Sequence, residues 1–350
     1  MKKILLILSM FLVLCGCGKK EENIVKKFQD KITKSNSYLL KGTMSIVSNE
    51  DTFTYMVEAS KSKDDYYKVS LINKTNDHEQ VILKNKDGVY VVTPDLNKSF
   101  KFQSDWPNNG SQSYLLDVLV NDVMNDDNVH VENNKDKFIQ VRVNYPNNST
   151  LYSEKIYLDN DYGVKKVEVL DQDGNVKIKL EISNIDYKPK FDDTYFDLDT
   201  LIVPEENITK EEVQEENKDT INIDNENSES TSGILDEIIY PLYVPENTHL
   251  STKDTINTDS GNRAILTFAG DSPFVLVEEV SRSYDDFEII PVNGEPLMMS
   301  DTIGAISSNS LYWTSNSVDY YLSSTSLDSK ELVSIAEGLT GTSVIVSSEK

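Results

Sequence analysis

The sequence predicts a mainly β (α+β) protein: a curled, half-closed antiparallel sheet with two helices, followed by a small α+β domain. Three observations predict it. Short runs of alternating apolar and polar residues follow one another from residue 38 to residue 187. Turn sequences such as Lys86-Asp87-Gly88, Asp161-Tyr162-Gly163 and Asp173-Gly174-Asn175 separate them. Helical spacing of apolar residues is confined to a few segments. Strands spaced in this way indicate one large antiparallel sheet.

The N-terminus has the features of an export signal. Lys2 and Lys3 precede an uncharged apolar run, residues 4–16. The run is shorter than the ~20 residues that a membrane-spanning helix needs, and its length and flanks are typical of a secretory signal. It ends in Leu14-Cys15-Gly16-Cys17, which resembles the bacterial lipobox. The resemblance implies cleavage after Gly16 and acylation of Cys17, with palmitate among the acyl groups; the alternative is a plain secreted protein cut nearby.

Charge and cysteine content limit the partners. The chain carries a net charge of −25, or −27 once the two lysines at positions 2 and 3 are removed with the signal. Such a chain is repelled by nucleic acid, which rewards clustered Lys and Arg. It is also repelled by anionic lipid surfaces, so the predicted membrane attachment is covalent, on the outer face. Cys17 is the only cysteine left after cleavage, so no intramolecular disulfide is predicted.

The chain divides into a signal (1–16), an anchor with an N-terminal helix (17–36), a β domain (37–203), a linker (204–232) and a C-terminal domain (233–350). The linker carries ten acidic residues against two lysines. Too little apolar surface is available there to offset the entropy of ordering, so we interpret it as extended and flexible. A fluctuating helix over residues 205–216 is the alternative.

Three helices are predicted from apolar spacing. The first places Ile24, Val25, Phe28 and Ile32 on one face, and the second, within residues 111–126, does the same with Leu115, Leu116, Leu119 and Val123. Either of two serines, Ser111 or Ser113, is suited to cap the second helix. The third lies within 327–339, where Asp328 and Glu331 have the spacing of a capping box.

The stretch before and within the second helix holds the candidate site. Phe100 and Phe102 share one face of a strand, and Trp106 precedes a turn that leads to Tyr114, Leu115 and Leu119. In one interpretation these side chains are core. In the other they line a concave apolar pocket or a docking surface for a partner.

The same stretch carries a family resemblance. Residues 87–119, "DGVYVVTPDLNKSFKFQSDWPNNGSQSYLLDVL", resemble the YdcC-like sporulation and GerS-like germination lipoproteins of spore-forming Firmicutes, and residues 187–199 resemble their closing strand and hook. The meander of strands with its helices resembles the LolA/LolB lipoprotein-carrier fold. Residues 235–340 resemble a small domain of unknown function found at the C-terminus of YdcC-type lipoproteins.

The resemblance implies two functions of different classes. The first is a non-enzymatic scaffold or accessory factor of sporulation or germination, anchored outside the cell membrane or the membrane around the forespore. Its implied partner is a protein, with a peptidoglycan amidase as one example. The second is binding or transfer of a hydrophobic ligand, a lipid or a lipoprotein acyl chain. A continuous apolar cavity would favour the ligand, and a filled interior with an exposed apolar patch would favour the protein partner.

The sequence predicts no catalytic residue, no metal site and no cofactor. Its three histidines, His78, His130 and His249, are scattered and lack the spacing of zinc ligands. The stretches "GDSP" (270–273) and "DQDGN" (171–175) superficially match a lipase motif and a calcium loop. We interpret both as hairpin turns, because the first has no downstream histidine and the second lacks the required Gly and Glu positions.

Overall fold

The structure is a computed structural model that describes residues 18–48, 51–202, 235, 237–258, 261–284 and 287–339. The predicted signal with Gly16, the anchor residue Cys17 and the acidic linker lie outside the described residues.

The described residues form three α-helices and nineteen strands. The helices are α1 (Gly18–Thr33), α2 (Leu116–Asn125) and α3 (Ser329–Glu337). The strands before the linker are β1 (Tyr38–Ser48), β2 (Asp51–Lys61), β3 (Tyr67–Asn73), β4 (Glu79–Asn85), β5 (Gly88–Thr93), β6 (Lys98–Phe102), β7 (His130–Asn133), β8 (Lys137–Arg142), β9 (Leu151–Leu158), β10 (Val164–Asp171) and β11 (Val176–Asp186). Those after it are β12 (Thr248–Thr258), β13 (Gly261–Gly270), β14 (Phe274–Val280), β15 (Glu288–Val292), β16 (Glu295–Met298), β17 (Ile303–Ile306), β18 (Ser310–Ser315) and β19 (Val318–Ser324).

The strands pair into two open sheets. The larger has the order β15-β6-β5-β4-β3-β2-β1-β11-β10-β9-β8-β7, and the smaller has the order β12-β13-β14-β19-β18-β17-β16. All pairs are antiparallel except β15 with β6, which is parallel. The predicted fold class, mainly β with antiparallel sheets, is confirmed. The sequence does not predict that a strand from beyond the linker completes the edge of the first sheet.

One face of the large sheet, here called the inner face, carries the main core. The apolar stripes of α1 and α2 pack on it, and Phe28, Leu115 and Leu119 are fully buried there. Ile303 and Ala305 of the smaller sheet belong to the same cluster. The inner face is thus covered partly by the two helices and partly by the C-terminal sheet.

Helix α2 begins later than predicted. Neither Ser111 nor Ser113 caps it: the helix starts at Leu116, and the residue at its N-cap is Leu115, which makes no side-chain capping bond. The hydroxyl of Ser111 instead accepts a hydrogen bond from the backbone N–H of Asn144 at 2.8 Å. Ser111 is therefore used to join two loops rather than to start a helix.

The outer face of β4 and β5 is covered by the segment that follows β11. Phe196 is buried against Val81, Leu83, Tyr90 and Val92, and Phe191 and Tyr195 pack beside it. This segment includes the hook that the sequence resemblance predicts.

The smaller sheet has its own core. Helix α3 packs on it beside the stacked rings of Trp313 and Tyr320, whose centroids are 4.9 Å apart. The predicted capping box is present, since Asp328 accepts from the Glu331 N–H and Glu331 accepts from the Asp328 N–H. The two stretches interpreted as hairpin turns connect β13 to β14 and β10 to β11. In the second, the Asp171 carboxylate accepts from the N–H groups of Asp173 and Asn175.

Among the described residues, no helix is long and apolar enough to cross a membrane.

A buried acid holds the segment that enters the second sheet. Glu278 on β14 is fully buried, and its carboxylate accepts a hydrogen bond from the Ile239 N–H at 3.0 Å. Burial raises the pKa of Glu278 to about 7, although the Ile239 bond and the charge of Lys253 oppose the shift. The folded state therefore holds a proton that the unfolded chain releases near the ordinary glutamate pKa.

The raised pKa of Glu278 predicts a pH-dependent effect of Glu278→Gln. Its contribution to stability is full below the unfolded-state pKa and is lost as the pH rises through about 7. Glutamine keeps an acceptor for the Ile239 N–H without the charge. We expect Glu278→Gln to stabilise the protein by roughly 1–3 kcal/mol at pH 8 and to have little effect at pH 4.5. Denaturant melts at both pH values test this, and equal effects at both would contradict it.

Candidate functional site

A buried lysine joins the two sheets. Lys98 at the start of β6 is 1% exposed, and its ammonium donates to the Tyr312 hydroxyl at 2.7 Å and to the Asp319 carboxylate at 2.9 Å. The ammonium also lies 5.1 Å from the ring centroid of Phe100 and 5.0 Å from that of Tyr312. A charge so deeply buried is tolerated because it is paired and hydrogen-bonded. Its partners lie on β18 and β19, so the pair fixes the C-terminal sheet against the first.

Polar contacts extend this junction. The side-chain Oε1 of Gln80 accepts from the Ile303 N–H at 2.7 Å and from the Thr302 hydroxyl at 3.1 Å. The hydroxyl of Tyr55 donates to the Ser300 carbonyl at 2.8 Å. Both side chains are buried and satisfy backbone groups of the C-terminal segment, as a neighbouring strand would. The junction is thus specific in register and not only apolar.

A cleft opens at one end of the junction, with a volume of roughly 400 Å³. Its first wall comes from the end of β1 and from the loops 109–114 and 145–151; its second comes from residues 295–300 and from one side of α3. Met44, Ile46, Ile178 and Met298 give the cleft an apolar part. Serine, asparagine and glutamine side chains occupy much of the remainder. A cleft of this size is a typical place for a binding site when it lies between two packed bodies, here the residues before the linker (the first body) and those after it (the second, or C-terminal, body).

Two glutamates tie the walls of the cleft together. Glu337 of α3 accepts from the Ser48 hydroxyl at 3.0 Å and also from the Ser300 hydroxyl. Glu295 of β16 accepts from the Asn147 amide at 3.2 Å and also from the Asn109 amide. These bonds hold the loops of the first body against the second, which gives the cleft a defined shape.

The cleft has binding groups but no evident catalytic arrangement. None of the three histidines lines it: His78 pairs with Asp95 at 3.1 Å, His130 packs on Phe138, and His249 lies on β12. Within the described residues, no group of three or more His, Cys, Asp or Glu side chains is placed to hold a metal ion. The side chains that line the cleft include amides, hydroxyls, carboxylates and apolar groups.

The structure separates the candidate residues that the sequence places together. Tyr114 lines the cleft, and its hydroxyl donates to the Gln112 side chain at 2.7 Å. Phe100 contacts the C-terminal sheet, with its ring centroid 4.9 Å from that of Tyr312. The others, Phe102, Trp106, Leu115 and Leu119, are buried in the main core. Trp106 packs edge-on against Tyr67. Their use as a docking surface stays a prediction.

Sequence reasoning missed the second wall of the cleft. Glu295, Met298 and Glu337 lie about 150 to 290 residues from the partners across the cleft. No local pattern distinguishes these two glutamates among the 59 acidic residues of the chain. The parallel pairing of β15 with β6 that brings them there has no sequence signal, because β15 is short and half exposed.

The fold and the cleft define a class: a mainly β protein of two open sheets, joined through a buried ion pair, with a cleft at their junction. Sporulation protein YdcC of Bacillus subtilis (strain 168) is 36% identical to this chain over 335 residues, which cover 95% of this chain and 94% of the relative. The chain belongs to the family of sporulation protein YdcC. The resemblance to YdcC-like proteins is confirmed. No family model matches the chain.

Comparison with solved structures gives weaker similarities. The complex of MucA and MucB from Pseudomonas aeruginosa matches with a TM-score of 0.32 and 11% identity, over 90% of this chain and 97% of that one. A LolA superfamily protein from Nitrosomonas europaea matches with a TM-score of 0.31 and 10% identity, over 51% of this chain and 98% of that one. At these TM-scores, neither similarity supports an inference about function.

Proposed function

We propose that this protein is a lipid-anchored, non-enzymatic accessory factor of sporulation, which holds a protein partner in the cleft at the outer face of the membrane. The family relationship supports the link to sporulation. The lipobox-like sequence before Cys17 supports the anchor. We choose a protein partner over a lipid because side chains fill the inner face of the large sheet.

The inner face of the large sheet leaves little room for a lipid. Phe28 of α1, the N-cap residue Leu115, and Leu116 and Leu119 of α2 are fully buried on it. The C-terminal sheet covers more of the same face. An interior packed in this way resembles an ordinary core rather than a carrier cavity.

The cleft suits an extended polypeptide segment. Its apolar part accepts side chains, while Gln112, Asn148 and other polar lining groups supply donors and acceptors for main-chain amides. An exposed apolar group lies elsewhere on the C-terminal body, where Tyr240, Leu242 and Tyr243 are 43%, 75% and 46% exposed. Such a patch on the same body is consistent with a protein partner.

Blocking the cleft tests its role. Ser334 on α3 and Ser149 in the loop 145–151 are exposed and line opposite walls. Ser334→Trp or Ser149→Trp fills the cleft without removing a core contact. We expect each variant to reduce the yield of heat-resistant spores to that of a strain lacking the protein, at unchanged protein level and melting temperature.

Thr325→Trp is the matched control, because Thr325 is exposed on the same body but does not line the cleft. It should sporulate like wild type. Normal sporulation by both cleft variants would rule out the cleft as the working site.

A hydrophobic ligand is the second candidate. The apolar lining by Met44, Ile46 and Met298 favours it. Purified wild-type protein would then carry a lipid in a fixed molar ratio, detectable by mass spectrometry of a solvent extract, and Ser334→Trp would lose it. The absence of lipid from wild type, with loss of sporulation in the cleft variants, favours the protein partner.

The proposed anchor predicts the fate of Cys17→Ser. Without the acylated thiol, the protein should leave the membrane fraction, because the described residues contain no membrane-spanning helix to replace the anchor. Cys15→Ser is the control and should stay membrane-bound. Cell fractionation tests this, and a Cys17→Ser variant that still requires detergent for extraction would contradict it.

A further inference from the structure

The smaller sheet ends at a strand that lines the cleft. Among the described strands, β16 is the last of that sheet and pairs with β17 alone. All four of its residues, Glu295 to Met298, line the cleft, as do Met299 and Ser300 after it. Successive side chains of a strand point to opposite faces of its sheet, so a strand that contributes every residue to one wall lies there edge-on. The cleft is therefore bordered by an open sheet edge.

The hydrogen bonds between β16 and β17 show which main-chain groups lie along that edge. In an antiparallel pair of strands, hydrogen-bonded and non-hydrogen-bonded residue pairs alternate. The Met299 N–H donates to the Thr302 carbonyl at 2.9 Å, at the turn that joins the two strands. By alternation, the next hydrogen-bonded pair is Leu297 with Gly304. The main-chain groups of Met298, which lies between these pairs, point away from β17.

Two further observations agree with this pattern. The N–H of Ile303, which lies opposite Met298, donates to the Gln80 side chain at 2.7 Å instead of to β16. Pro296 lies opposite Ala305 and has no N–H to donate. Proline is tolerated in edge strands where its nitrogen faces outward. The open edge thus presents the N–H and C=O of Met298 and the C=O of Pro296.

These groups are suited to pair with an added strand. No other main-chain group of the described chain bonds to them, although Pro296 is buried and Met298 is partly buried. Main-chain groups in such positions are nearly always hydrogen-bonded, and an extended peptide satisfies them by extending the sheet. The apolar part of the cleft, which includes Met44, Ile46 and Ile178, lies in the same cavity.

The charge of the cleft lining indicates what kind of peptide fits. Its charged residues are two lysines and two glutamates, Lys177, Lys330, Glu295 and Glu337, so their formal charges cancel. The chain as a whole has a net charge of −25. A neutral cleft in so acidic a chain favours a segment that is itself uncharged, because a charged one would lose its hydration without gaining an opposite charge.

We propose that the partner binds as an added β-strand: an uncharged, extended segment of a second protein pairs with β16 through the Met298 N–H and C=O and the Pro296 C=O. Alternate side chains of the segment enter the apolar part of the cleft, and the others face its amides and hydroxyls. The segment therefore has apolar and polar residues in alternation. This inference rests on the proposed polypeptide partner and specifies the form in which it binds.

Hydrogen exchange of the free protein tests the open edge. In the purified full-length protein in detergent, the Met298 amide should exchange much faster than the neighbouring Leu297 amide, which bonds to β17. Mass spectrometry with electron-transfer fragmentation resolves the two amides. Slow exchange at Met298 would overturn the proposal, because another part of the chain would then occupy the edge.

Two substitutions of one residue separate the main-chain bond from the side chain. Met298→Pro removes the edge N–H but no bond to β17, whereas Met298→Ala shortens the side chain and keeps the N–H. The probe is a peptide selected on wild-type protein from a phage-displayed library of random octapeptides, and it must fail to bind Ser334→Trp. We expect Met298→Pro to bind it roughly tenfold or more weakly than Met298→Ala, since a hydrogen bond is lost and its acceptor is left unpaired. Pro296→Ala adds an N–H to the edge and should bind it more tightly than wild type.

Equal peptide affinities of Met298→Pro and Met298→Ala, at equal melting temperatures, would overturn strand addition. A wild-type dimer that Met298→Pro converts to a monomer would also overturn it, because a second copy of the chain would then be the occupant. If Met298→Pro melts lower than Met298→Ala, the exchange measurement on wild type decides. Sporulation of Ser334→Trp tests the cleft itself, so a failure of the proposed function is distinguished from a failure of strand addition.

Discussion

The structure depends on one buried contact, the ion pair of Lys98 with Asp319 and the Tyr312 hydroxyl. Lys98 lies on β6, and β15 from beyond the linker pairs with that same strand in parallel and forms the edge of the sheet. A buried ion pair is not a strong source of stability, because desolvation offsets much of its attraction. The pair instead fixes the relative position of the two sheets. The Lys98 side chain is 1% exposed, so its charge is tolerated only where Asp319 and Tyr312 lie beside it. The C-terminal sheet thus has one position against the first.

That position creates the cleft. The two walls of the cleft belong to the two bodies. Glu295 and Glu337 of the second body join them, because they accept hydrogen bonds from an amide and a hydroxyl of the first. Both carboxylates line the cleft.

The sequence predicts the local elements well, because their signals are local. The apolar stripe Ile24–Phe28–Ile32, the capping box of α3 and the glycine-containing hairpin turns all appear where periodicity and turn chemistry place them. The start of α2 is different from the prediction. The Ser111 hydroxyl accepts a hydrogen bond from the backbone of a distant loop and does not cap the helix. Lys98 shows the limit most clearly. In the sequence it is one of many lysines, and only its partners on β18 and β19 distinguish it. The second wall of the cleft was missed for the same reason.

The two tryptophans allow a direct test of the account, since Trp106 lies in the core of the first sheet and Trp313 in that of the second, each 1% exposed. Trp313→Phe leaves a fluorescent probe of the first body, and Trp106→Phe leaves a probe of the second. If the Lys98 contact and the shared strand make one folding unit, each variant's fluorescence transition in denaturant should coincide with its own transition in far-UV circular dichroism, which reports on both sheets. A fluorescence transition clearly separated from the circular dichroism transition in either variant would show two independent bodies and contradict the claim that the buried contact fixes one sheet against the other.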